Sequence, residues 1–294
     1  MATPNDNPKG NDEPRDPDAA KPQYALEVCD LVRSFGDRTV LNKVNFKLPR
    51  GGVLVIMGGS GCGKSTLLRH LIGSLKPDSG TIHVMGEEIT SLRGEALGEL
   101  RRRFGMLFQS GALFNSLTVG ENVALPVLES SRVTQDIANL VVKLKLELVG
   151  LTGFEKLKPA EISGGMKKRV GLARAMALDP DLLFADEPTA GLDPIMTAVI
   201  DTLMLDLTRK LGISAVVVTH DMVSAFRIAT QMIFLFEGKV IADGTPEEIK
   251  NHPDKRLQQF INGHPDGPIP LKLSKDNYLK ELIGDYATTG GQRA

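Results

Sequence analysis

Val53-Leu54-Val55-Ile56-Met57-Gly58-Gly59-Ser60-Gly61-Cys62-Gly63-Lys64-Ser65-Thr66 is the stretch whose reading decides the fold. Five apolar residues read as a buried strand, and the GxxxxGKS run that follows is the P-loop pattern, with a helix expected from Lys64. Glycines let successive backbone N–H groups converge on a phosphate, and the helix N-terminus adds a field that favours anions. In that reading Gly58, Gly59, Ser60, Gly61, Cys62 and Gly63 form the cradle. Lys64 neutralises the β- and γ-phosphates, Ser65 holds Mg²⁺ and Thr66 supports the phosphate contacts. The expected ligands are therefore ATP and Mg²⁺. Cys62 reads as a small filler whose thiol an occupying nucleotide would protect.

Outward from this loop, composition bounds the rest. A chain of 294 residues that is 41% hydrophobic can bury a full core. A net charge of -1 gives no basic footprint, so no nucleic-acid partner is expected. Two cysteines, Cys29 and Cys62, are too few for a disulfide framework and fit a reducing compartment. No apolar run approaches the ~20 residues that span a bilayer, so a membrane role must come through a partner. Residues 1–23, polar and rich in proline, read as a disordered leader. The basic triplets Arg101-Arg102-Arg103 and Lys167-Lys168-Arg169 read as solvated helix faces.

Before the P-loop, 25–28 and 44–48 alternate as strands about a turn at Gly36-Asp37. After it, 81–85 reads as a strand, 95–103 as a short helix and 104–108 as an apolar strand. From about 110 to 160 the pattern is helical, most clearly over 134–150. Strands return at 181–185 and 214–218 around a helix at 195–211. Continuous apolar strands alternating with helices imply a buried parallel sheet. The expected fold class is α/β: a P-loop ATPase core with a helical subdomain at about 110–180 and an antiparallel β subdomain.

Leu182-Leu183-Phe184-Ala185-Asp186-Glu187 is an apolar strand ending in two acids, and such strand ends face the ligand crevice. Asp186 is placed to order Mg²⁺ and Glu187 to polarise an attacking water. Ahead of them, Ile162-Ser163-Gly164-Gly165-Met166 opens a helix expected over 167–178 and offers a hydroxyl, two glycines and a helix N-terminus to an anion. Here the chain resembles the ATP-binding-cassette (ABC) ATPases, whose signature reads LSGGQ, and the resemblance covers roughly residues 25–250.

The resemblance implies a head-to-tail homodimer in which Ser163, Gly164 and Gly165 close on the partner's ATP. It implies adenine stacking for Phe35 and a Mg²⁺- and water-touching role for Gln109. Asp193, in Gly191-Leu192-Asp193, faces the partner protomer, and His220 meets the γ-phosphate. His70, His83, His252 and His264 have no comparable setting. The short interval between Lys64 and Ser163 leaves no room for the long coiled coils of chromosome and repair ATPases, and one cassette argues against the translation-factor class.

Three features resemble the Mla-type, Mkl-like lipid-transport ATPases that work with Mce-domain proteins: Met166 ending the signature, Gln109-Ser110-Gly111-Ala112-Leu113-Phe114, and the tail Phe260-Ile261-Asn262-Gly263 with Asp266-Gly267-Pro268. That family implies an integral permease partner, an Mce-domain lipid-binding protein and a place at the cytoplasmic face of a bacterial inner membrane. Leu113, Phe114 and Leu117 are candidates for permease contact or for the core. Small-solute import and a soluble, non-transport ABC ATPase are the alternative functions, and a P-loop kinase would leave the signature without a purpose. Residues 251–294 read as a C-terminal extension. From 265 it is kept extended by prolines, with Tyr278, Leu279, Leu282 and Ile283 forming a turn against a neighbouring subunit.

Overall fold

The computed structural model describes residues 23–130 and 133–269. Most of the expected leader, residues 1–22, lies outside the described residues, as does the tail with Tyr278, Leu279, Leu282 and Ile283. The chain opens with β1 (Tyr24–Phe35) and β2 (Arg38–Pro49), antiparallel from Tyr24 opposite Pro49 to Phe35 opposite Arg38. Alternation in β2 buries Leu41, Val44, Phe46 and Leu48, and Gly36-Asp37 makes the expected turn. Both strands run further than the alternating segments in the sequence. Register shifts between Val28 and Leu31 and between Leu31 and Arg33 interrupt the period of two there.

Next come β3 (Val53–Met57), α1 (Lys64–Leu71), β4 (Ser79–Val84), β5 (Glu87–Glu88), α2 (Gly94–Arg102) and β6 (Phe104–Leu107). A four-stranded antiparallel sheet takes the order β2-β1-β4-β5. The helical region holds α3 (Val119–Ser130), α4 (Gln135–Leu148) and, after a 3-10 turn at Pro159–Glu161, α5 (Gly164–Ala175). Thr134 caps α4, its hydroxyl accepting from the Ile137 N–H. Residues 110–118 are not helical, contrary to the expectation. Asn122, fully buried in α3, holds this segment instead: it accepts from the Phe114 N–H and donates to the Phe114 and Thr118 carbonyls. Leu113 packs against the core, whereas Phe114 is exposed.

The chain closes with β7 (Leu182–Asp186), α6 (Pro194–Leu211), β8 (Ser214–Val218), α7 (Met222–Ile228), β9 (Gln231–Phe236), β10 (Lys239–Gly244), α8 (Pro246–Lys250) and α9 (Lys255–Asn262). The six-stranded sheet takes the order β10-β9-β3-β8-β7-β6, parallel except for the β9–β10 pair. Every residue of β3 and β8 is buried, as continuous apolar strands of a doubly covered sheet require.

The register decides where the chemistry sits. Ile56 and Asp186 both lie opposite Val218, so β3, β7 and β8 end side by side. The P-loop, the acidic pair and His220 therefore leave the sheet together at the carboxyl ends of its strands. Beyond residue 250 the chain still packs on this body. Leu257 is fully buried, the Phe260 ring lies 5.0 Å from that of Phe234, and Gln259 exchanges hydrogen bonds with the Ile269 main chain. Through Ile269, then, the extension is fastened to its own domain.

Candidate functional site

Gly58 and Gly63 shape the P-loop, with φ of 151° and 112°. A Cβ on Gly58 would come within 2.3 Å of the Leu235 carbonyl, so only glycine fits there. Gly63 is the N-cap of α1 and supplies no side-chain cap, and the first turn holds no acid. The backbone donors of this turn are thus left for an anion. The Lys64 ammonium rests on the Gly58 and Gly59 carbonyls at 2.7 and 2.9 Å. Ser65 is exposed and Thr66 half-buried at the same helix start. Cys62 is buried, and burial pushes its thiol up from the usual range despite the nearby Lys64 charge.

A cleft of about 500 Å³ opens on this loop, walled by Arg38, Val40, Gly59, Gly61, Phe236 and Phe260. Phe35 stands outside its lining, exposed, with the Arg33 guanidinium 4.6 Å from its ring centroid. Asp78 anchors that guanidinium at 2.8 Å. One face of the ring is therefore backed by a fixed cation.

Asp186 and Glu187 follow β7. Burial, with the charge of Glu187, pushes the Asp186 carboxyl above the usual aspartate range, and Lys64 opposes the shift. Glu187 has a φ of 48°, uncommon for a residue with a side chain, and its N–H donates to the Val218 carbonyl at 2.8 Å. Its carboxylate pairs with His220: Oε1 lies 2.8 Å from Nδ1, and Oε2 accepts from the His220 N–H at 3.4 Å. Gln109, just past β6, shares an open cleft of about 590 Å³ with Asp186 and Gly191.

No group of three or more His, Cys, Asp or Glu among the described residues could hold a metal alone. Ser65, Gln109 and Asp186 are a sparse oxygen set of the kind that suits Mg²⁺ arriving with phosphate oxygens. Two neighbouring acids, one with its carboxyl pushed up by burial and by the charge of the other, are an arrangement a divalent cation relieves.

The second glycine turn is built differently. α5 begins at Gly164, three residues earlier than expected, because Ser163 is its N-cap and accepts from the Met166 N–H at 3.2 Å. Ser163 and Gly164 are exposed, whereas Gly165 is buried beneath Met196, whose Cε would lie 2.7 Å from an added Cβ. None of the three lines the P-loop cleft. Asp193 caps α6, accepting from the Ile195 and Met196 N–H groups at 3.0 Å each.

In the basic triplets Arg101 and Arg102 are exposed, as the sequence suggests, whereas Arg103 and Lys168 are tied into the fold. Arg103 pairs with Glu87 at 2.8 Å and Asp181 at 2.7 Å, tying β5 to the β7 approach. Lys168 is buried, and its ammonium donates to the carbonyls of Gln109 and, at 3.3 Å, Glu187. Burial pulls this ammonium below the usual lysine range, while Glu187 acts the other way. Arg174, one and a half turns on, donates to the Gly111 and Ala112 carbonyls at 2.9 and 2.7 Å. Sequence reasoning missed these residues and Asn122. The signal for Lys168 was its spacing: it falls on the stripe that buries Gly165, Leu172 and Ala175.

A P-loop and two acids leaving parallel strands that flank β8, with a capped second glycine turn facing elsewhere, fit a nucleotide hydrolase. The chain belongs to the ABC transporter family of ATPases: residues 41–190 match the family model described as ABC transporter. It is 42% identical over 261 residues to the "Intermembrane phospholipid transport system ATP-binding protein MlaF" of Haemophilus influenzae, covering 89% of this chain and 99% of that one. It is 40% identical over 252 residues to the "Probable ribonucleotide transport ATP-binding protein mkl" of Mycobacterium leprae, covering 86% of this chain and 73% of that one. Among solved structures it resembles the dimeric post-hydrolysis state of the ATP-binding cassette MJ0796 bound to ADP and Pi. That match has a TM-score of 0.69 and 30% identity, over 75% of this chain and 98% of that one. No helix among the described residues is long and apolar enough to cross a membrane.

Proposed function

We propose that this chain is the ATP-hydrolysing subunit of an ABC transporter that moves phospholipid, or a related lipid, between a bacterial inner membrane and the outer envelope. The observation that carries this is the likeness to the Haemophilus influenzae protein along nearly the whole of both chains. The subunit works as a homodimer at the cytoplasmic face of the membrane, held by an integral permease, with an Mce-domain protein as the lipid-binding partner. The cassette occupies residues 24–250, with its helical subdomain at about 110–180.

In this reading the uncapped turn of α1 and Lys64 bind the phosphates, Phe35 stacks on adenine, and Ser163, Gly164 and Gly165 meet the partner's nucleotide. Ser65, Gln109 and Asp186 hold Mg²⁺, which when bound offsets charge on the phosphoryl oxygens. Glu187 accepts a proton from the attacking water, and His220 fixes its carboxylate through Nδ1 while presenting Nε2 to the γ-phosphate. Asp193 orders the loop that faces the partner. ATP favours the closed dimer, and hydrolysis lets it reopen.

Glu187→Gln should lower phosphate release roughly 10²–10⁴-fold while ATP stays bound and the dimer persists in size-exclusion chromatography. Release at the parental rate would remove Glu187 from its role. Purification of the tagged chain from detergent-extracted native membranes tests the substrate class. A permease with an Mce-domain protein supports lipid transport. The name of the Mycobacterium leprae relative favours a second reading, transport of a polar solute, which predicts a permease with a soluble solute-binding protein instead.

A further inference from the structure

Two loops and a helix meet at one buried side chain. Lys168 lies in the second turn of α5, the helix that Ser163 caps, and is only 5% exposed. Its ammonium donates to the main-chain carbonyl of Gln109 and to that of Glu187. The first belongs to the loop that leaves β6, the second to the residue after β7 whose φ of 48° an ordinary side chain seldom adopts. Arg174 of the same helix takes two further carbonyls of the first loop, those of Gly111 and Ala112. No Cβ separates helix and loop where they cross: one placed on Gly171 would lie 3.2 Å from the Gly111 oxygen. The helix and the 109–112 loop are thus joined at three carbonyls and in direct contact.

Arg174 reaches only the 109–112 loop, whereas Lys168 alone of the two also reaches the acidic loop. We propose that Lys168 is a positioning residue for hydrolysis, locking the Gln109 loop and the Glu187 main chain to the signature helix so that all three move as one unit. The proposal rests on the reading of Glu187 as the group that activates water. A displacement of the signature helix would then carry Glu187 and Gln109 with it, and hydrolysis would stay in register with closure over a second nucleotide.

The consequence is a separation of binding from turnover. Lys168 touches neither the P-loop nor the cleft walled by Arg38 and Val40. Its loss should misplace the carboxylate by a fraction of an ångström and leave the phosphate cradle alone. In the full-length chain, Lys168→Met should lower kcat roughly ten- to a hundredfold, with KM for ATP held within about twofold. Lys168→Arg, which keeps a donor to both carbonyls, should recover most of the rate. Lys168→Gln serves as the second test, retaining a neutral donor if the thioether variant does not fold, and should fall between the two.

Parental kcat in folded Lys168→Met or Lys168→Gln would overturn the proposal, as would a loss expressed in KM. Failure of Lys168→Arg to restore the rate above that of Lys168→Gln would also overturn it. Glu187→Gln is measured alongside. If it turns over at the parental rate, the underlying assignment of the site falls; if it is inactive while Lys168→Met is normal, only the positioning role falls.

Discussion

The two glycine turns that open α1 and α5 use similar residues for opposite ends. At α1 the cap is a glycine with φ of 112°, no side chain competes for the first N–H groups, and Lys64 stands over the turn. At α5 the cap is Ser163, whose hydroxyl already accepts from Met166, while the exposed Gly164 has nothing within 4 Å of an added Cβ. The first turn is walled by its own domain and complete within one chain. The second is a stable helix start with an open outer surface, which in the proposed dimer becomes a site only against a neighbour. The difference teaches that glycine serves close backbone packing at Gly58 and bare access at Gly164.

The largest expected effect breaks the first turn. Gly58→Ala would drive a Cβ to 2.3 Å from the Leu235 carbonyl. It should cost about 1–3 kcal/mol in urea unfolding and abolish ATP binding measured by equilibrium titration. Gly164→Ala, in open space on a helix, should instead stabilise the chain by about 0.5 kcal/mol and leave ATP binding to the monomer intact. Hydrolysis by the dimer should nonetheless fall. Equal behaviour of the two variants would erase the contrast between the turns.

Lys64→Ala should weaken ATP binding outright. Ser163→Ala should keep monomer affinity, lose about 1 kcal/mol of stability with its cap, and reduce turnover only where two chains meet. The readout is the dependence of phosphate release on protein concentration. A Ser163→Ala chain that fails to bind ATP as a monomer would place both turns at one nucleotide.

A smaller effect comes from Asp186, whose carboxyl is pushed up by burial and by Glu187. A raised folded-state pKa means the native chain holds this proton more tightly than the unfolded one. Its favourable contribution is therefore full below about 3.9, the unfolded value, and is lost as pH rises from there through the raised native value. Asp186→Asn removes that loss. The nucleotide-free variant should melt higher than the parent at about pH 7, with the margin shrinking toward about pH 4, and Mg²⁺-dependent hydrolysis should vanish. A margin that does not change with pH would sink this account.

Much of this was legible in the residues. Apolar strands such as β3 and β8 announce themselves because both faces are buried, and GxxxxGKS constrains the backbone so tightly that few other folds accommodate it. The 110–118 segment misled because its apolar residues imitate a helical pattern, while Asn122 imposes an irregular path through hydrogen bonds invisible in composition. Arg103 and Lys168 were not legible because a charged residue in a basic run gives no local sign of the carboxylates or carbonyls that the fold brings to it.

By itself the sequence determined the strand and helix order, the phosphate-cradling turn and the acids that end β7, all set by local period and short-range chemistry. Only the tertiary structure decided that Glu187 pairs with His220, that Lys168 joins two loops and that residues to Ile269 fasten back through Gln259. Those contacts join residues far apart in the chain, or turn on which side of a helix is covered. A hydrogen bond of that kind forms only once sheet register and helix packing have brought its partners together.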